Sequence, residues 1–133
     1  MASIFSQIVA GKIPAYKIAE TDEFLAFLDV FPIAKGHVLV IPKQEVDNLF
    51  DLEDEAYQGL WLFAKQVAKA MKPCFDCKKI GVAVVGLEVP HAHIHLIPIN
   101  AVGDMDFKQE KLSFSEEEMT SICQSIQNEF NKA

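Results

Sequence analysis

Two stretches of this chain repeat apolar residues at intervals of three and four, the spacing of one face of an α-helix. They cover residues 53–71 and residues 115–131. Ser115 and Glu118 form a capping box for the second helix, and Asp51 predicts an N-cap for the first. The apolar faces are made of Tyr57, Leu60, Trp61, Ala64, Val67, Ala68 and Met71, and of Met119, Ile122, Cys123, Ile126 and Phe130. Trp61 is therefore expected to pack in the core.

Short runs of β-branched and aromatic residues predict five β-strands, separated by turn residues and prolines. A short helix over residues 3–10, ended by Gly11, precedes them. The strands follow one another with one long helix inserted. This order predicts an α+β fold with an antiparallel sheet of about five strands, one long central helix, a short N-terminal helix and a longer C-terminal helix. The predicted strands cover residues 16–20, 24–30, 37–41, 80–85 and 91–100.

A single domain over residues 1–133 is the expected organisation. With 133 residues, of which 50% are hydrophobic, the chain can bury one substantial core. No internal repeat or linker divides it. Residues 100–113 are mostly polar and are predicted to form a mobile segment on the surface.

The charge of the chain limits its partners. A formal net charge of −7 makes a nucleic acid or an anionic membrane an unexpected partner. All twelve basic residues are lysines, so a phosphate site would use backbone amides, hydroxyls, lysines or histidines in place of a guanidinium clamp. The apolar runs are shorter than a membrane-spanning helix, and the N-terminus lacks the pattern of a secretory signal. The expected location is the cytoplasm.

The three cysteines give no strong signal. An odd number argues against a disulfide framework. Cys74 and Cys77 form a C-x-x-C pair, but a structural zinc normally needs four ligands, so this pair is expected to be an incidental loop feature. Cys123 lies on an apolar helix face and is expected in the core.

Three of the four histidines, His91, His93 and His95, alternate with apolar residues. Side chains two apart in a strand share a face, so the three rings would form a row while the residues between them pack on the other side. Near neutral pH an imidazole can be a nucleophile, a general acid or base, or a metal ligand. The row therefore predicts a functional site.

A metal site and a covalent nucleophile are both compatible with this row. At about 3.3 Å per residue, neighbouring rings start about 6.6 Å apart, so three converge on one zinc only if the strand bends. A further ligand would come from His37 or a carboxylate. In the alternative, the central ring attacks an electrophile such as phosphorus while an acceptor holds its other nitrogen, and the flanking rings hydrogen-bond the oxygens.

Four segments of the chain resemble the histidine triad (HIT) superfamily. The similarity extends over residues 4–107 in the order and spacing of that family, and the C-terminal helix adds little to it. The segments contain Ile4-Phe5, Ile8-Val9, Gly11 and Ile13-Pro14-Ala15; residues 24–30 with Pro32; residues 36–43; and His91-Ala92-His93-Ile94-His95-Leu96-Ile97.

The resemblance implies a hydrolase of nucleoside phosphoramidates or dinucleoside polyphosphates. His93 would attack the α-phosphorus of a nucleoside 5′-phosphate derivative, and water would then release the mononucleotide from the covalent nucleotidyl-histidine. His91 and His95 would support the phosphate and orient the nucleophile, with His37 behind His95. A histidine at position 95, where transferase relatives carry glutamine, favours hydrolysis.

The same resemblance implies how the nucleotide binds. Asp29 would accept hydrogen bonds from the ribose hydroxyls, and Glu88 and Val89 would lie beside the nucleotide. The implied partners are a small-molecule nucleotide and a second copy of the chain, in a homodimer that joins two antiparallel sheets. No cofactor is implied. The base pocket would be walled by Phe5, Ile8, Phe27 and Val30.

Three positions depart from the family pattern near the leaving group. Leu87 replaces a phosphate-binding glutamine, Glu88 replaces a hydroxyl residue, and Glu45 stands where the third segment usually has a histidine. The loop before the triad is also short and lacks an asparagine. A carboxylate at position 88 would disfavour a polyphosphate and tolerate a neutral or cationic amine leaving group.

Two other functions are compatible with these residues. The departures at the leaving group would suit a nucleotide-binding module with little turnover. Alternatively, His37 and two triad histidines would hold zinc or another metal in a metal-dependent phosphohydrolase.

Overall fold

The computed structural model describes residues 2–132, and within them it confirms an α+β fold built on a five-stranded antiparallel sheet. The helices are α1 (Ile4–Val9), α2 (Asp54–Met71) and α3 (Glu116–Lys132). The strands are β1 (Lys17–Glu20), β2 (Phe24–Leu28), β3 (Val38–Pro42), β4 (Lys79–Ala83) and β5 (Ile94–Ile99). Their order across the sheet is β1-β2-β3-β5-β4. No helix of this described part has both the length and the apolar character needed to cross a membrane.

The sheet is covered on both faces, which explains why β2 and β3 are buried along their whole length. On one face, α2 and α3 pack over the main core. Cys123 is buried there, as predicted, and Trp61 packs against this core but is only half-buried. On the other face, α1 packs against a smaller apolar cluster. Its buried residues are Phe5, Ile8, Leu25, Phe27, Leu39 and Ile41.

The starts of the two long helices show one confirmed and one wrong prediction. The Ser115 and Glu118 capping box forms, with each side chain accepting the other's backbone N–H at 3.1 and 3.0 Å. Asp51, however, does not cap α2. It ends a 3-10 turn, Leu49–Asp51, and α2 begins after Glu53 without a side-chain cap. Burial of Leu52 in the main core separates the turn from the helix.

The histidine strand is shorter than predicted. β5 begins at Ile94 because its pairing with β3 ends there, at the Val40 to Ile94 partners. Upstream, the Ala92 N–H donates to the Val46 carbonyl, which lies outside the sheet. The prediction of a strand from position 91 is therefore wrong at its start. β2 also ends earlier than predicted, at Leu28, so that residues 29 and 30 lie in a loop.

The segment over residues 100–113, which was predicted to be mobile and to lie on the surface, is mostly exposed and takes part in several hydrogen bonds. The Asp104 carboxylate accepts the N–H groups of Asn100 and Ala101 at 2.8 and 2.9 Å and stabilises a short 3-10 helix. Farther on, the Leu112 N–H donates to the Pro32 carbonyl at 2.8 Å. This last bond joins the segment to the loop after β2.

Candidate functional site

The four histidines form one cluster on the sheet face away from α2 and α3. His95 lies on β5 opposite Leu39, and His37 comes immediately before β3. The ring centroids of His95 lie 4.9 Å from His93 and 5.2 Å from His37. All four histidines have exposed fractions of 8% or less. The alternating residues Ala92, Ile94 and Leu96 pack in the main core, so the predicted two-faced pattern is confirmed.

The ring of His93 is held in one tautomer. Its Nδ1 lies 2.8 Å from the backbone carbonyl of His91, and a carbonyl can only accept, so Nδ1 carries the proton. In the neutral ring, Nε2 then has a free lone pair. Phe5 packs edge-on against this ring with centroids 5.0 Å apart. This is the arrangement that a nucleophilic imidazole requires.

His37 and His95 form a directed hydrogen-bonded pair. The Ile33 N–H donates to His37 Nδ1 at 3.2 Å, so the proton of His37 is on Nε2. That nitrogen lies 2.9 Å from His95 Nδ1, which must accept. His95 therefore keeps its own proton on Nε2, where it can be donated to a phosphate oxygen.

Burial keeps both members of this pair neutral. It is the main cause that lowers the pKa of His37 to about 4, with a further contribution from the positive charge of Lys111. Burial also lowers the pKa of His95 to about 3, and the neighbouring His93 adds to the effect. Both rings are uncharged near pH 7, in agreement with the tautomers that their hydrogen bonds require.

Both ring nitrogens of His91 form hydrogen bonds to other groups of the protein. Its Nε2 lies 2.7 Å from the Pro42 carbonyl and its Nδ1 lies 2.7 Å from the Ser3 hydroxyl. Burial lowers the pKa of this ring as well. Neither nitrogen is left for a phosphate, which corrects that part of the expected role. His91 can still orient His93 through its backbone carbonyl.

The residues expected to hold the nucleoside lie beside this cluster. Asp29 follows β2 and is half-buried; its Oδ1 accepts the Phe31 N–H at 2.8 Å and its Oδ2 lies 3.6 Å from His37 Nε2. Phe5, Ile8 and Phe27 belong to the apolar cluster under α1. Val30, in contrast, is 53% exposed and does not belong to this cluster.

The segment before the triad places its two candidate residues differently. Val89 is half-buried and packs against the cluster that contains Phe5 and Phe27. Glu88 is exposed, and within residues 2–132 its carboxylate takes part in no hydrogen bond or ion pair. The structure thus places Val89 against the apolar cluster under α1 and leaves Glu88 in solvent.

A metal does not fit the hydrogen bonds of the cluster, although three of its side chains lie close enough together to hold an ion. In the described part of the chain, the candidate metal group is Asp29, His37 and His95, whose ligand atoms lie within 4.8 Å of one another. A metal on His37 Nε2 would require the proton on Nδ1. That atom already faces the Ile33 N–H at 3.2 Å, so two donors would oppose each other. Cys74 and Cys77 are free and do not belong to this group.

Sequence patterns missed two contributions to the site. The ring of Phe107 lies 4.8 Å from His95 and 6.4 Å from His37, and Lys111 Nζ approaches the Phe107 carbonyl at 3.5 Å. This contact brings a cation to the edge of the histidine cluster. Ser3, on the opposite side, holds His91. No periodicity marks these residues, because the contacts join distant parts of the chain.

Comparisons with known proteins agree with this geometry. The family model described as HIT domain matches residues 10–102. The adenosine 5′-monophosphoramidase hnt1 of Schizosaccharomyces pombe is 40% identical over 99 residues, 74% of this chain and 74% of that protein. Protein hit of Bacillus subtilis is 33% identical, over 92% of this chain and 90% of that protein. The crystal structure of a Zn-bound histidine triad family protein from Mycobacterium smegmatis superposes with a TM-score of 0.84 at 25% identity, over 99% and 95% of the two chains. This chain therefore belongs to the HIT domain family.

Proposed function

We propose that the protein is a nucleotide hydrolase that cleaves nucleoside 5′-phosphate derivatives at the α-phosphorus through a covalent bond to His93. The observation that carries this proposal is the 2.8 Å contact between His93 Nδ1 and the His91 carbonyl, which leaves Nε2 as a bare nucleophile. The similarity to an adenosine 5′-monophosphoramidase supports nucleoside phosphoramidates as the preferred substrates, ahead of dinucleoside polyphosphates.

The proposed reaction has two displacements at phosphorus. First, His93 Nε2 bonds to the α-phosphorus while the bond to the leaving amine or phosphate breaks, and the leaving group departs with the electron pair and takes a proton from solvent. Second, water attacks the phosphorus, the bond to His93 breaks, and the nucleoside monophosphate leaves as the water gives up its proton. His95 donates its Nε2–H to a phosphate oxygen in both steps.

The nucleoside is proposed to bind between Asp29 and the cluster under α1. A carboxylate can accept hydrogen bonds from both ribose hydroxyls, and Phe5, Ile8 and Phe27 offer an apolar wall to the base. Val30 would contact the base from the exposed rim.

A homodimer is part of the same proposal. β4 lies at the edge of the sheet and pairs only with β5, so its outer backbone groups are unpaired within the described residues. The surface beside it is apolar, with Val82 49% and Val85 50% exposed. A second copy paired at this edge would join two antiparallel sheets. Sedimentation at micromolar concentration should therefore give twice the mass of one chain.

The direct test is to mix the protein with adenosine phosphoramidate or with diadenosine polyphosphates and to follow AMP release. We expect AMP from the phosphoramidate, with a fast first turnover that leaves labelled nucleotide on the protein. Addition of a chelator should leave the rate unchanged. Tight nucleotide binding without AMP release would instead identify a binding module, and loss of activity with the chelator would identify a metal-dependent hydrolase.

Glu88 gives a test of the leaving group. If its carboxylate faces the bound leaving group, the protein should prefer adenosine phosphoramidate over diadenosine polyphosphates, whose charge it would repel. Glu88→Ser should then shift the ratio of the two kcat/KM values toward the polyphosphates. An unchanged ratio would mean that Glu88 stays in solvent in the complex, as it does in the free protein.

A further inference from the structure

Three side chains outside the histidine cluster, Ser3, Ser6 and Glu45, form a hydrogen-bonded network that ends on His91. Glu45 Oε1 accepts the Ser3 N–H at 2.6 Å and the Ser6 hydroxyl at 2.7 Å. The Ser6 N–H donates to Ser3 Oγ at 3.0 Å, and Ser3 Oγ lies 2.7 Å from His91 Nδ1. The network joins α1 to the loop after β3 and to the first triad histidine.

The direction of each hydrogen bond follows from groups that can only accept. The Pro42 carbonyl accepts a hydrogen bond from the Nε2–H of His91. In the neutral ring Nδ1 therefore carries no proton, and the Ser3 hydroxyl must donate to it. The Glu45 carboxylate accepts the two remaining hydrogen bonds, which the Ser3 amide and the Ser6 hydroxyl donate. The Ser6 hydroxyl also lies 3.4 Å from His91 Nδ1, but its shorter contact, at 2.7 Å, is the one to Glu45.

The network acts on the nucleophile through the backbone of His91. The His91 carbonyl accepts the His93 Nδ1–H at 2.8 Å and so selects the His93 tautomer. Phe5, on the helix that Glu45 holds, also packs against both rings, with centroids 5.7 Å from His91 and 5.0 Å from His93. A shift of α1 would therefore move the His91 carbonyl, through Ser3, and would also move the Phe5 ring that packs against His93.

We propose that Glu45, acting through Ser3 and Ser6, is a positioning residue that holds His91 in place and thereby keeps His93 in its nucleophilic tautomer. The catalytic consequence rests on the function proposed above, while the effect on the tautomer does not. Glu45 is exposed, and within residues 2–132 no cation pairs with it. Its role is thus that of a hydrogen-bond acceptor, whose Oε1 atom receives the Ser3 N–H and the Ser6 hydroxyl.

Glu45 offers a cleaner test than Ser3, because Ser3 also caps α1 and a change there would disturb the helix directly. Glu45→Ala removes both acceptors, whereas Glu45→Gln keeps an oxygen that can accept and removes only the charge. Gln44→Ala changes the adjacent exposed side chain and serves as the matched control. Ser6→Ala removes one of the two donors to Glu45.

The experiment measures kcat and KM for adenosine phosphoramidate and records the imidazole 15N spectra of the same four variants. We expect Glu45→Ala to lower kcat roughly tenfold or more with KM changed less than twofold, since misplacement of a reacting group acts on kcat. Its spectrum should show His93 as a mixture of tautomers. Ser6→Ala should show a smaller loss of the same kind, and Glu45→Gln and Gln44→Ala should resemble the wild type.

Two results would overturn the proposal. One is a Glu45→Ala variant with wild-type kcat and an unchanged His93 spectrum. The other is an equal loss in Glu45→Gln and Glu45→Ala, which would assign the effect to charge. If the wild type releases no AMP from any substrate, the proposed function fails, but the 15N spectra still decide whether Glu45 sets the tautomer of His93.

Discussion

The His93→Ala variant is expected to lose turnover of adenosine phosphoramidate on the order of a thousandfold or more, because the proposed covalent bond has no other atom on which to form. Nucleotide affinity should stay close to that of the wild type, since the nucleoside contacts come from Asp29 and from the cluster under α1. AMP release and AMP binding by calorimetry are measured on the same preparation. Protein quenched at alkaline pH, where a phosphorus–nitrogen bond to histidine is stable, should carry labelled nucleotide in the wild type and none in the variant.

His93→Asn is the companion variant, because it keeps a polar side chain that can bond to the His91 carbonyl while removing the ring nitrogen that attacks. Loss of activity in both variants, with an intact circular dichroism spectrum, would separate chemistry from packing against Phe5. A residual rate of one tenth of the wild type in either variant would show that the covalent mechanism is wrong.

The second large effect is expected for Asp29→Ala, which should weaken nucleoside binding by about 1.5–3 kcal/mol, the range for hydrogen bonds to a charged group. This corresponds to roughly a ten- to 150-fold increase in Kd. The reason is the loss of the carboxylate that accepts the two ribose hydroxyls. A 2′,3′-dideoxy nucleotide should suffer a similar loss with the wild type and little further loss with the variant.

Asp29 also has a role in the free protein, which the control must separate. Its Oδ1 accepts the Phe31 N–H, so Asp29→Ala removes a bond that shapes the loop after β2. Asp29→Asn keeps an oxygen for Phe31 and removes the charge and one acceptor, so its Kd should lie between those of the wild type and Asp29→Ala. Equal discrimination against the dideoxy nucleotide by all three proteins would place Asp29 outside the nucleoside site.

Local patterns were sufficient for the elements and their faces. The three-and-four spacing of apolar residues predicted both long helices, and the Ser115 and Glu118 capping box placed the start of the second. The starts of β5 and α2 were harder to predict. The start of β5 depends on where its pairing with β3 ends, and the start of α2 depends on the burial of Leu52. The residues next to these starts do not predict either feature.

The sequence by itself determined that three imidazoles would share one side of the chain. Alternating side chains of an extended backbone point to opposite sides, and the burial of Ala92, Ile94 and Leu96 in the main core shows that this alternation continues upstream of β5, which begins only at Ile94. The resemblance of four segments also predicted the family, which the comparisons then showed.

Only the tertiary structure decided what each imidazole can do. The tautomer of a histidine is set by the groups that face its two nitrogens, and most of these come from remote positions: Ser3 lies 88 residues from His91, and His37 lies 58 residues from His95. Phe107 reaches the cluster from a segment without any apolar periodicity. Side-chain direction is a local property of the backbone, whereas protonation and burial depend on contacts that exist only once the chain has folded.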